Sequence, residues 1–171
     1  MNYKNISFGS IDKFNVIIET PKGSENKYEY NEDLDAIEFN WSFKGGFCFP
    51  FDYGFIPQTL AEDSDTADVF VITGHHFPSG IIVECKAIGI IEVLDRGKED
   101  NKIIAVPLYD PEYSKYDFLK DLSFDYKTIF ENFFKELGIQ KSKKIEVMGF
   151  NDATAAKQYI EKTNKNFNKT N

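Results

Sequence analysis

The sequence predicts a mainly β domain of the α+β kind, a small barrel with two helices added late in the chain. Three observations carry that expectation. Short β-branched and aromatic runs follow one another from residue 14 to residue 106, with Gly and Pro between them. An aromatic stripe at helical spacing appears only after residue 125, and a second apolar periodicity closes the chain. The 171 residues fit one domain, residues 1–171, and 42% hydrophobic content with 17 Phe supplies a sizeable core.

Taken in order, residues 14–20 (Phe-Asn-Val-Ile-Ile-Glu-Thr) read as a strand ending at Pro21. Residues 27–30 and 36–39 read as a hairpin with acidic turn residues between them. Residues 68–73, 81–85, 87–94 and 102–106 are strand-like runs, and such a series of short strands suggests a barrel. Tyr126, Phe130, Phe133, Phe134 and Leu137 share one helical face, read as core packing, with Gly138 as the stop. A strand follows at 144–149. Asn151 or Asp152 caps a last helix that carries Ala153, Ala156 and Ile160 on one face. From Asn164 to residue 171 the chain is Asn- and Lys-rich, and a frayed tail is expected.

The formal net charge of −8 argues against binding nucleic acid through its phosphates by bulk attraction. Cys48 and Cys85 sit in apolar surroundings at no metal-ligand spacing and read as core thiols. No apolar run approaches the length of a membrane span and the N-terminus has no signal-like apolar region, so a cytoplasmic protein with no membrane partner is expected.

Chemistry is concentrated in polar residues at places where strands should be apolar or ending. Four carboxylates crowd residues 62–68, just before a strand. Like charges this close repel unless a cation sits between them, and Mg²⁺ or Ca²⁺ prefers such oxygens. Glu19 closes the first strand, Lys27 and Glu29 share one strand face, and Tyr53 sits in an apolar segment. Asp95 and Asp100 bracket a turn, with Lys102 opening the next strand. Carboxylates for metals, lysines for phosphate and a phenol donor form the mixture that phosphoryl-transfer chemistry needs. There is no P-loop, no dinucleotide-binding glycine pattern, no Cys/His cluster and no nucleophile elbow, and the pair His75-His76 reads as a loop.

The segment Asp63-Ser-Asp-Thr-Ala-Asp68-Val69 resembles the Asp-Gly-Asp-Pro-x-Asp-Val signature of the soluble family I inorganic pyrophosphatases. Further segments occur in family order. They are 17–21, Lys27-Tyr-Glu29, 49–56, 89–95, 99–102, 104–107, Phe133-Phe134 and the final Gly149-Phe-Asn-Asp-Ala, so that the resemblance spans roughly residues 12–162. It implies a five-stranded OB-like barrel with flanking helices and Mg²⁺-dependent hydrolysis of pyrophosphate, with Mn²⁺ as an alternative metal. By position it implies Asp63, Asp68 and Asp100 as ligands of the metals that activate the attacking water, and Asp65 as the base. Asp95 takes a metal that arrives with substrate, Glu29 supports a further one, and Glu19 orders water. Lys27, Tyr53 and Lys102 contact phosphate, Tyr53 counting among the catalytic residues. A homo-oligomer is also implied, although Asn132 and Glu136 stand where some members place interface histidines.

The departures fall mostly on one side of the pocket. Ser64 and Thr66 replace the usual Gly and Pro without removing a ligand. The family's phosphate-binding Arg aligns with Trp41 and its neighbouring Asp with Asn40, while a Tyr-Lys pair aligns with Leu137 and Gly138. Indole cannot replace a guanidinium fork on phosphate. The expectation is reduced efficiency, or a substitute cation from Lys44, Lys141 or Lys143. The alternatives are a metal-dependent hydrolase of another phosphoanhydride or phosphate ester, and a non-enzymatic phosphate- or metal-binding relative.

Overall fold

A computed structural model describes residues 3–62 and 64–170, Lys4 by its backbone alone. Strands β1 (Phe14–Thr20), β4 (Asp52–Ile56), β5 (Ala67–Val71), β8 (Lys102–Pro107) and β6 (Ile82–Asp95) pair in that order, and β6 returns to β1. The result is a closed ring of five strands, the OB-like arrangement expected, with β5 and β8 parallel and the other ring pairs antiparallel. A short β7 (Lys98–Glu99) folds back on the end of β6, and β9 (Ile145–Asp152) pairs along its outer length. Strands β2 (Asn26–Asn31) and β3 (Ala36–Ser42) make the separate hairpin.

The ring strands are nearly all apolar because both faces are covered. On β5, Val69 and Val71 join one core cluster while Phe70, with Ile72 just past the strand, joins the other, and on β8 Ile103 and Ala105 alternate likewise with Ile104 and Val106. The first cluster takes Ala156, Tyr159 and Ile160 from helix α2 (Ala153–Thr170), and the second takes Phe130, Phe133 and Phe134 from helix α1 (Tyr126–Gln140). The aromatic stripe is therefore packing, as its spacing predicts. Asp152 caps α2, accepting from Thr154 N at 2.9 Å and Ala155 N at 3.1 Å. Both cysteines are free thiols, Cys85 buried and Cys48 partly so. Among the described residues no helix is long and apolar enough to cross a membrane.

Strand β4 is not among the strands that the sequence predicts, strands β5 and β9 shift by one to three residues at their ends, and three further differences follow. The runs 81–85 and 87–94 are one long strand, β6, because Lys86 turns its ammonium outward onto Asp117 (2.6 Å) and does not break the ladder. Helix α1 passes through Gly138 to Gln140. Helix α2 runs on through the Asn-rich tail, where fraying is expected, to Thr170. Its amides dock on backbone carbonyls that composition cannot reveal: Asn164 Nδ2 donates to Gln58 O (2.8 Å) and Asn166 Nδ2 to Leu60 O (3.3 Å). Lys162 adds an ion pair to Glu62 at 2.5 Å, so the tail helix buttresses the acidic loop.

Candidate active site

Parallel register sets Asp68 of β5 beside Lys102, the first residue of β8. Asp100 lies two residues before Lys102 and so shares its side of the chain. The Lys102 ammonium is buried and grips both carboxylates, Asp68 at 2.5 Å and Asp100 more closely still. Burial alone would lower the lysine's pKa, but Asp68 and Asp100 overcome it and the net displacement is upward. Tyr53, on β4, is buried beside the same pair. Its phenol is raised well above the ordinary value by burial and then by Asp68, Asp100 and Glu19, so it stays a donor.

Asp95 ends β6, and the chain reverses through Arg96 (φ 51°) and Gly97 (φ 82°), a two-residue hairpin turn with both φ positive. That turn is what puts Asp95 and Asp100 near one another. Asp95 Oδ2 accepts from Lys143 Nζ at 2.5 Å. Its Oδ1 is buried without a hydrogen-bond partner among the described residues, with Arg96 Nε at 3.5 Å. Asp65 sits on the exposed loop before β5, where its Oδ1 accepts from Thr66 N at 2.8 Å. The departure at residue 66 thus supplies an N–H that proline could not give.

These side chains converge. Asp65, Asp68, Asp95, Asp100, Tyr53, Lys27 and Lys102 line one cavity of about 180 Å³, backed by Phe49, Phe70, Phe133 and Phe134. A larger hollow of about 640 Å³ along α1 and β9 has Glu131 as its one carboxylate among the described residues, so it does not offer the same donor set. Glu29 and Glu19 lie just outside the lining. Glu29 is paired to Lys27, and Asn40 Nδ2 donates to its other oxygen, a contact that the family's Asp at residue 40 would turn into repulsion. Glu19 is buried, accepts from Tyr30 N at 2.7 Å, and is pushed up to about 8 by burial and then by the Asp68 charge. Asp63, the remaining expected ligand, lies outside the described residues.

The donor set suits a hard cation: several carboxylates around one cavity, a buried carboxylate oxygen with no hydrogen bond, and two carboxylates sharing one ammonium as their positive charge. Among the described residues no three such side chains yet converge as a ready metal cluster. Lys102 itself stands between Asp68 and Asp100, and Asp63 is not in that set.

On the opposite wall stand two of the three lysines expected as substitute cations, Lys141 and Lys143; what the sequence does not show is that Lys141 seats on Trp41. Trp41 lies directly across the hairpin from Lys27, and Lys141 and Lys143 complete the lining beside Leu137. The one available signal was the lysine-rich run 141–144 at the end of a helix. Lys44, a third candidate, does not line the cavity, and its backbone is instead tied to Gln140 on α1 (2.8 Å and 3.2 Å).

The inorganic pyrophosphatase family profile matches residues 16–168. The chain is 35% identical to the inorganic pyrophosphatase of Synechocystis sp. over 153 residues, 90% of each chain. It is 39% identical to that of Malacoplasma penetrans over 150 residues, 87% of this chain and 83% of the relative. The crystal structure of the inorganic pyrophosphatase from Thermus thermophilus superposes with a TM-score of 0.91 at 32% identity, covering 98% of this chain and 99% of that one.

Proposed function

This chain belongs to the inorganic pyrophosphatase family, and from that premise we propose that it hydrolyses pyrophosphate to two phosphates with Mg²⁺ as its metal. The single observation that supports the reading best is the cavity floor, where Lys102 is gripped by Asp68 and Asp100 beneath Tyr53, Asp65 and Lys27. Asp68, Asp100 and Asp95, with Asp63 by the resemblance, are the residues that would hold the metal, and Glu29 would support it. When bound, it would neutralise the tetra-anionic substrate and make a water more acidic.

The chain's own groups do the rest. Asp65 takes the proton of the attacking water while its carboxylate is steadied by Thr66 N. The water oxygen bonds to one phosphorus, the bond from that phosphorus to the bridging oxygen breaks, and its electron pair leaves with the second phosphate. Lys27 and Lys102 hold the non-bridging oxygens, and Lys102 would be free of Asp68 and Asp100 when those two carboxylates held the metal. Tyr53, kept protonated by its surroundings, donates rather than accepts. Glu19 orders water behind Asp68.

Phosphate release from pyrophosphate, tripolyphosphate and ATP, each with Mg²⁺, with Mn²⁺ and with excess chelator, tests this. The expected result is metal-dependent release from pyrophosphate well above the other two. Faster release from a nucleotide or longer polyphosphate would transfer the site to another anhydride, and no release from any of them would leave a binding protein.

A further inference from the structure

The wall facing the carboxylates carries Trp41 and Leu137 where the resemblance implies Arg and Tyr, yet it is not without cations. Resting on the reading of this cavity as a pyrophosphate site, we propose that Lys141, seated on the indole of Trp41, holds the second phosphate in place of the family's arginine.

The Lys141 ammonium lies 4.2 Å from the centre of the Trp41 ring, well within cation–π range. Both side chains line the cavity. The other lysines there are committed: Lys102 to Asp68 and Asp100, Lys27 to Glu29, Lys143 to Asp95. Lys141 has no carboxylate within ion-pair distance among the described residues. It is held by an aromatic face, a partner that fixes a cation in place without neutralising it. Burial depresses its pKa first, and repulsion from Lys27 and Lys143 depresses it further, so these three ammonium groups share a wall that an anion would relieve.

The lost lysine and the gained one belong to a single change in the chain. At Gly138, where the resemblance implies Lys, a Cβ would come within 2.9 Å of the Lys143 carbonyl oxygen. Lys143 N in turn donates to Gly138 O at 3.0 Å, and Ser142 turns the chain at φ 51°. Without a side chain at 138, residues 141–143 fold back against the helix end, and that path brings Lys141 over Trp41. The family's lysine is sterically shut out by the same turn that delivers its replacement. Trp41 is therefore a positioning residue. Its own Nε1 is buried without a hydrogen-bond partner among the described residues, a donor that can also serve a ligand oxygen.

The test is steady-state kinetics on pyrophosphate together with calorimetric titration of inorganic phosphate into the whole protein. Lys141→Ala should raise KM and weaken phosphate binding about 10- to 100-fold, with kcat changed less and thermal stability unchanged. Lys141→Arg should keep most of the affinity. Trp41→Ala should fall in the same direction, and adding it to Lys141→Ala should cost little more, since the two act as a unit. Trp41→Arg in the Lys141→Ala background should recover binding by restoring the guanidinium. Lys44→Ala, outside the cavity, is the control and should be silent. Normal KM and phosphate affinity in Lys141→Ala, or full additivity with Trp41→Ala, overturns the inference while leaving the hydrolase reading intact. A wild-type protein that releases no phosphate overturns that reading instead, and the phosphate titrations still decide the role of Lys141.

Discussion

The two walls of the cavity are built differently. The acidic wall hangs largely on ring strands, with Asp68 on β5, Lys102 on β8, Tyr53 on β4 and Asp95 at the end of β6, and Asp65 and Asp100 on the loops that lead into β5 and β8. Ladder register and strand alternation fix where the strand side chains point. The cationic wall hangs on periphery: Trp41 on the free hairpin, and Lys141 and Lys143 on the turn leaving α1. There the chain can change path at small cost to the core. By the resemblance, the acidic wall keeps the family's charged residues, whereas the cationic wall has Trp41, Leu137 and Gly138 in place of an Arg, a Tyr and a Lys. On the proposed function, the acidic wall would set the chemistry and the cationic wall would set how tightly the second phosphate is held.

Breaking the rigid wall should therefore damage turnover, whereas breaking the other should damage binding. Asp65→Asn is expected to lower kcat about 10²- to 10⁴-fold at saturating Mg²⁺, because an amide keeps the shape but cannot take a proton. Metal affinity should stay near that of the wild type. A kcat that stayed within about twofold would remove Asp65 from the reaction and dissolve the contrast. Lys102→Met comes next. In excess chelator it leaves Asp68 and Asp100 facing each other without their ammonium, and urea denaturation should show a loss on the order of 3 kcal/mol. Mg²⁺ should then restore more stability to the mutant than it adds to the wild type. An unchanged urea midpoint in chelator would mean that the three-group cluster contributes nothing to the fold.

The same division governs how much the sequence disclosed. Four of the five ring strands, the core stripe and most side chains of the acidic wall were legible, because apolar runs report burial and because the carboxylates recur where strands begin or end; β4 is not read as a strand. What escaped depends on tertiary geometry. Gly138 reads as a helix stop, but the helix continues and the glycine is there for the Lys143 backbone to pack on. Lys141 reaches Trp41 through the turn after Gly138, and Gln140 ties the end of α1 to the loop after β3. The Asn-rich tail reads as solvent-exposed until its amides are seen on the carbonyls of Gln58 and Leu60. Lys86 reads as a strand break because its partner, Asp117, is distant in sequence.

Glu19 sharpens the comparison through pH. Its folded pKa of about 8 lies above the ordinary 4.5, so the folded protein binds that proton more tightly than the unfolded chain. The stabilisation from the neutral carboxyl is complete below pH 4.5 and is lost as pH rises towards 8. In chelator, wild-type stability should fall relative to Glu19→Gln across that window. The slope should be no steeper than about 1.4 kcal/mol per pH unit, with a total of at most about 5 kcal/mol. Parallel pH profiles for the two proteins would show that Glu19 is not held neutral. On the cationic wall no comparable stability difference is expected between Lys141→Ala and wild type.

The smallest effect lies where the acidic wall itself departs from the family, at Ser64. Its φ of 74° is a left-handed conformation that glycine, the residue the resemblance implies here, adopts freely and serine does not. That shape is held by Ser64 N donating to Ala61 O (3.2 Å) and Ala61 N donating to Asp65 O (2.7 Å), with Lys162 of α2 anchoring Glu62. Ser64→Gly should relieve about 1 kcal/mol of strain, read as a small rise in the urea midpoint, with kcat within about twofold of wild type. The folded-state gain is set against the extra freedom that glycine brings to the unfolded chain, which keeps the net change small. A gain in stability accompanied by a large fall in kcat would mean that Ser64 itself steadies Asp65. In that case the acidic wall too would have been rebuilt, and the division between a conserved rigid wall and an exchanged peripheral one would fail at its edge.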